Sequence, residues 1–185
     1  MHFSFSGFSP AVEDQWRLTV LRFHDWVQDE LFSVRWWVLL GLFLLNAYLL
    51  WKTADKKRLG ETALFTAVVI LCIIVLDEIG EELSLWYYPV DIFPLFPPAS
   101  AIDISCLPIA YALLFKTVKT WKGFLIALIL MSAVSCFVLE PLFVWADLYR
   151  KLAWKSWYGL PLYFLIGVIA KFVVQIACRQ AEKKP

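Results

Sequence analysis

Charge is what this sequence has least of. Only 18% of its 185 residues are Asp, Glu, Lys or Arg, against about 25% in an ordinary soluble domain. A net charge of +1 leaves no basic footprint, which argues against nucleic acid as a partner. Cysteine is sparse as well. Cys72, Cys106, Cys136 and Cys178 each fall in or at the end of an apolar run, and no two form a C-x-x-C pair. That spacing supplies neither a zinc nor a disulfide framework and reads as four small buried hydrophobes. The two histidines, His2 and His24, precede the apolar segments, so a His/Cys zinc site is not expected. There is no G-x-S-x-G, P-loop or H-E-x-x-H motif. The opening MHFSFSGFSP lacks Lys, Arg and a continuous apolar core, and a cleavable signal peptide requires both a basic start and such a core. Insertion through an uncleaved first transmembrane helix is expected instead.

What is present in abundance is apolar surface. Hydrophobic residues make up 61% of the chain and aromatics 17%, with ten Trp, and the mean hydropathy is +0.69. Lipid is the solvent that suits such a chain, with Trp and Tyr concentrated where it meets water. Ser9-Pro10 suits a helix start. Val12, Trp16, Val20, Phe23, Val27 and Leu31 then recur at steps of three and four, one apolar face of a helix. The segment is too charged to span and is expected along the membrane surface; the competing expectation is a helix packed on the rest of the protein.

Five apolar segments come next, at about Val34–Trp51, from near Glu61 through ALFTAVVILCIIVL, and at about Ile102–Phe115, Gly123–Ala146 and Trp157–Cys178. A hydrocarbon core of about 30 Å needs ~20 helical residues, so the third is short: tilted little, broken at Pro108, or buried among its neighbours. The predicted fold class is an all-α membrane protein, with five transmembrane helices preceded by an N-terminal amphipathic surface helix. Its parts are an N-terminal segment over 1–33, a five-helix bundle over 34–178 and a cytoplasmic tail over 179–185. WYYPVDIFPLFPPAS joins the second and third spans. Its four prolines forbid a regular helix, and its apolar content predicts a fold back over the bundle's outer mouth. No internal repeat is visible, which argues against inverted-repeat transporter folds.

Lys and Arg set the expected orientation in the cell membrane. Ten (Lys52, Lys56, Lys57, Arg58, Lys116, Lys119, Lys122, Arg179, Lys183, Lys184) fall on one side of the predicted spans. Six (Arg17, Arg22, Arg35, Arg150, Lys151, Lys155) fall on the other. The first side should be cytoplasmic, with the N-terminus outside and the C-terminus inside. Lys171 would sit near the inner end of the fifth span, from which it can snorkel.

Acids in apolar surroundings carry the chemistry. The uncharged run Ala63–Leu76 before DEIGEE has fourteen residues, or ~21 Å of helix. Some of Asp77, Glu78, Glu81 and Glu82 must therefore lie within the membrane unless the bilayer thins. Asp77 and Glu81 share one helix face, and Glu78 and Glu82 another. Glu140, in SCFVLEPLFVW, sits well inside the fourth span, ~26 Å along from Gly123. An intramembrane ionisable residue is a functional candidate. Its neighbour Pro141 frees the Phe137 carbonyl. Asp103 opens the third span and is either a cap or a third acid at the same level. Arg150, Lys151 and Lys155 are the nearest cations.

The residues WYYPVDIFP, LPIAYALLFK, TWKGF, FVLEPLFVW and LYRKLAWKSWYGLPLYF resemble an uncharacterised family of small polytopic membrane proteins from spore-forming Firmicutes. The resemblance runs over about 86–176 and implies the topology rather than an activity. Acids among aromatics in a small bundle are also similar in logic to membrane-bound terpene cyclases, an analogy of chemistry rather than of sequence.

Three classes of function are open. In the first, an enzyme admits a lipid-soluble polyprenyl or terpenoid substrate from the membrane. Asp77, Glu81 and Glu140 would act as acids or bases, with Glu78, Asp103, Trp86, Tyr87, Tyr88 and Trp145 lining the substrate's path. Aromatic faces would stabilise a carbocation. No cofactor is expected for a protonation-initiated cyclase or isomerase, although a magnesium diphosphate site stays open. In the second, an oligomeric channel or transporter component uses the acids to attract cations or relay protons. A non-catalytic scaffold or sensor that binds through its N-terminal helix is a third. The enzyme is preferred, because few polar residues continue across the lower halves of the spans.

Overall fold

A computed structural model describes residues 10–53, 58–94 and 106–182. Helix α1 covers Pro10–Asp25 and passes into a π-helical turn, Trp26–Glu30. Then come α2 (Val34–Thr53), α3 (Leu59–Glu82), β1 (Trp86–Tyr87), α4 (Leu107–Thr117) and α5 (Trp121–Val134). A second π turn, Ser135–Leu139, leads into α6 (Glu140–Trp145). Strand β2 (Arg150–Lys151), a 3₁₀ turn at Ser156–Tyr158 and α7 (Gly159–Glu182) complete the described chain.

Among the described residues, four helices are long and apolar enough to cross a membrane: Val34–Lys52, Leu59–Glu82, Trp121–Trp145 and Ser156–Ala181. The third predicted span is different. Helix α4 has 11 residues, about 16 Å of rise, so its described part is too short to cross. It is packed among its neighbours, with Leu107, Pro108, Ile109, Tyr111, Ala112 and Phe115 all buried. Pro108 does not break it but occupies its first turn, where a missing N–H costs nothing.

The bundle is apolar outside as well as inside. Along α3, Phe65, Val69 and Ile73 point inward, while Leu64, Leu71, Val75 and Ile79 are exposed. Exposed apolar side chains repeat on α5 at Ile126, Ile129 and Leu130, and on α7 at Leu165, Ile169 and Phe172. Such belts exceed what a soluble monomer tolerates. At the centre, the rings of Phe65 and Phe115 stack at 4.3 Å, and Phe124 meets Phe65 edge-on. Helices α5 and α7 approach closely at Gly167, where a Cβ would lie 2.6 Å from Leu128 Cδ1.

Each end has its own character. At one end, β1 pairs antiparallel with β2, Trp86 opposite Lys151 and Tyr87 opposite Arg150. This ribbon end also holds the start of α2, through Arg35 and Asp147. At the opposite, basic end lie Arg58, Lys119 and Arg179. Helix α1 buries none of its residues, so it is not packed on the bundle along its length. Its attachment is through the π turn: the Trp26 indole donates to the Asp91 carbonyl at 2.9 Å, and the Asp91 N–H donates to Glu30 at 2.9 Å.

Candidate functional site at the ribbon end

Two turns without glycine build this end. After α3, Ser84 takes φ 52°, and after α6, Asp147 takes φ 54°. In each, the next residue's N–H reaches back five positions, Leu85 to the Gly80 carbonyl at 2.8 Å and Leu148 to the Phe143 carbonyl at 3.0 Å. This is the Schellman way of closing a helix. The two exits converge, and the N–H groups of Leu152, Ala153 and Trp154 all lie within bonding distance of the Leu85 carbonyl.

The ribbon covers a largely apolar cavity of about 60 Å³, lined among others by Asp77, Trp86, Tyr88, Glu140, Tyr149 and Trp154. Asp77 comes up from α3, and its Oδ1 accepts from the Tyr88 hydroxyl at 2.9 Å and the Trp86 indole N–H at 3.3 Å. Trp86 is 5% exposed and packs edge-to-face on Trp154 at 4.7 Å.

Glu140 arrives from the other wall and is 6% exposed. Pro141 has no N–H for the Phe137 carbonyl, and the helix widens there: the Glu140 N–H bonds to the Ser135 carbonyl, five residues back. The extra residue in a π turn rotates the side chains beyond it about the helix axis. Glu140 Oε1 accepts from Ser156 at 2.8 Å and faces Lys151 Nζ at 3.3 Å; Lys151 also donates to Ser156 at 2.9 Å. Oε2 is buried with no hydrogen-bond partner among the described residues. Glu140 is thus one half of an ion pair and not an isolated acid.

The other residues singled out in the sequence do not gather at this cavity. Glu78 and Glu81 are half-buried on α3 and do not line it. Tyr87 points away from it, and its hydroxyl accepts from Arg150 at 2.7 Å. Trp145 is 84% exposed and is no part of the wall. Asp103 lies outside the described residues. Lys155 is exposed, whereas Arg150 joins Arg35 around Asp147. Arg150, and then Arg35, hold the Asp147 carboxyl below its usual range, and Asp147 and Tyr87 in turn raise the Arg150 guanidinium. Among the described residues no three His, Cys, Asp or Glu side chains gather to hold a metal.

Sequence reasoning passes over Ser156, Tyr149 and Trp154. Their only signal is the aromatic density of LYRKLAWKSWYG; their placement depends on the long-range β1–β2 pairing.

No family model, no curated protein and no solved structure matches this chain.

Proposed function

We propose that the protein is a membrane-embedded acid–base enzyme acting on a lipid-soluble substrate, with Asp77 as the group that exchanges a proton with it. The observation that carries this reading is that Asp77 and Glu140, from different helices, line one largely apolar cavity at the ribbon end. Asp77 Oδ1 is positioned by Tyr88 and Trp86, as a catalytic base must be. Glu140 is a positioning residue at the far wall, held there by Ser156 and Lys151. A cavity of about 60 Å³ is well below the roughly 300 Å³ or more of a pocket for a whole ligand. It suits the reacting end of a molecule whose remainder stays in lipid. A proton-shift isomerisation fits: Asp77 takes a proton from one carbon and returns it to another, with no net consumption.

In the same reading the chain has five membrane-embedded helices, with α4 as the short buried one, and α1 lies along the membrane surface. The ribbon end faces outside and the basic end the cytoplasm, in line with the excess of Lys and Arg. Conduction through a single copy is not favoured, because Tyr111, Phe115, Phe124 and Leu128 fill the middle of the bundle and are buried.

The test is to incubate purified protein with a bacterial lipid extract and a polyprenyl alcohol in deuterated water and track the lipids by mass spectrometry. Deuterium entering a lipid product with wild-type protein, and not with folded Asp77→Asn, is the expected result. Equal product with Asp77→Asn removes Asp77 from the chemistry. Proton or cation flux into liposomes with no lipid product moves the assignment to transport. Labelling of cysteines placed at Asp91 and Lys119 from opposite sides of the membrane checks the orientation.

A further inference from the structure

The basic end carries a second hollow, of about 320 Å³. One wall is a single face of α7, where Lys171, Gln175 and Arg179 recur at steps of four. Arg58 and Glu61 at the start of α3 and Lys119 in the α4–α5 link complete it. Four cations therefore meet one carboxylate, and that carboxylate is engaged: Glu61 accepts from Arg58 Nε at 3.0 Å and Nη2 at 2.5 Å. Lys119, Lys171 and Arg179 have no carboxylate partner among the described residues.

Lys171 is the decisive member. Snorkelling would carry its ammonium to water, yet the residue is 4% exposed, and its Nζ has no hydrogen-bond partner among the described residues. The ammonium sits 3.9 Å from the Phe124 ring centroid and 5.0 Å from that of Trp121. Those faces attract the charge, but they offer no oxygen to its three N–H donors. A buried charge is costly unless it is paired and hydrogen-bonded. The Lys171 side chain lines the hollow, but its Nζ is turned to the Phe124 and Trp121 rings and closed from solvent, so a swing of the ammonium off the Phe124 face is what brings it to a partner there, beside two further cations.

We propose that this hollow binds a phosphate group, with Lys171 at its floor and Lys119 and Arg179 at its rim. Phosphate matches the site because its oxygens accept from several donors at once and pair with a guanidinium in a bidentate fork. A basic pocket between membrane helices is a recurring way of holding an anionic headgroup. The same chemistry is offered by a phospholipid and by free phosphate.

The full-length protein, delipidated in a neutral detergent, separates the two. Native mass spectrometry would monitor dioleoyl phosphatidylglycerol, with phosphate-free dioleoylglycerol as control, and equilibrium dialysis would monitor labelled inorganic phosphate. Phosphatidylglycerol binding that weakens roughly tenfold or more in both Lys171→Met and the exposed double variant Lys119→Gln/Arg179→Gln supports a lipid headgroup. Inorganic phosphate binding with the same sensitivity, and no phosphatidylglycerol binding, supports a soluble anion. Should Lys171→Met fail to fold, the double variant decides alone. Equal binding of dioleoylglycerol, no binding of any probe, or binding unchanged in the folded variants overturns the proposal.

Discussion

The indole of Trp86 lies so close over Gly80 that a methyl group on that glycine would sit 2.0 Å from Cζ2. The contact joins the last turn of α3 to the first residue of β1, six positions later in the chain. It fixes the ring that donates to Asp77. Gly80 weakens its helix, since glycine costs roughly 0.5–1 kcal/mol there relative to alanine. The close approach is what requires it.

Gly80→Ala should therefore destabilise the protein, although alanine is the better helix former. Overpacking a buried site costs typically about 1–3 kcal/mol, more than the helix gain. The ring is wedged against Trp154 and has little room to retreat. Thermal unfolding in detergent should show a lower midpoint. An unchanged or raised midpoint would mean that the indole is not seated as described.

Asp91 gives a pH dependence at the ribbon end. Burial, and then the nearby Glu30 and Glu81 carboxylates, raise its folded pKa from 3.8 to about 7, against a smaller opposite effect of Arg22. Between about pH 4 and 7 the folded state holds a proton that the unfolded chain has released, so stability falls as pH rises through that window. Glu30 is shifted upward too, chiefly by burial, and adds in the same direction. Asp91→Asn should flatten the slope of unfolding midpoint against pH from about 4 to 8. Because Asp91 bonds Trp26 and Glu30 through its backbone, the variant should leave α1 attached. A slope identical to wild type would contradict the assignment.

Asp147 has the opposite sign. Its folded pKa lies below 3.8, held there first by Arg150 and then by Arg35. The contribution is complete above the unfolded value and is lost as pH falls through the folded one. Arg35→Gln should make the ribbon end open at a higher pH during acid titration, read by fluorescence of the nearby tryptophans. Asp147→Asn should remove the titration. Its φ of 54° is a conformation that Asn tolerates, so the turn itself should persist.

Much of the bundle is legible in the sequence because helical spans are encoded locally. Runs of apolar residues long enough to cross mark the four long helices to within a few residues, and the acid that directly follows the second run, Asp77, is the one of the DEIGEE set that lines the ribbon-end cavity. Glu140 is legible for the same reason: an acid amid SCFVLEPLFVW has nowhere polar to go except inward. The partners of these acids are harder to read. Lys151 and Ser156 reach Glu140 only through a two-residue ribbon whose turns use Ser84 and Asp147 where a glycine would have signalled the bend. Lys171 departs from the snorkelling expectation because snorkelling needs a free path along the helix to water, whereas Phe124 and Trp121 hold the ammonium in place. Proximity in sequence makes Trp145 a candidate wall residue, but the α6 turn sends it outward.

The pairing of Glu140 with Lys151 separates a structural from a chemical role for that acid. The Lys151 side chain is 30% exposed and that of Glu140 7%, so the pair is buried on one side only. Breaking a buried pair from one side costs about 3–5 kcal/mol, and partial exposure places this one at the lower end. Glu140→Gln should then lower stability by about 3 kcal/mol, since it leaves the Lys151 ammonium against Ser156 without a counter-charge. Lys151→Met should cost a similar amount by stranding the carboxylate, one of whose oxygens already lacks a partner among the described residues. The double variant Glu140→Gln/Lys151→Met should recover much of the loss, because neither charge then remains. Equilibrium unfolding of the wild type and the three variants gives the coupling directly. A coupling near zero would mean that the two side chains do not hold each other. In that case Glu140 would return to the role of a proton donor, expected to leave stability intact and to abolish lipid turnover when replaced by Gln.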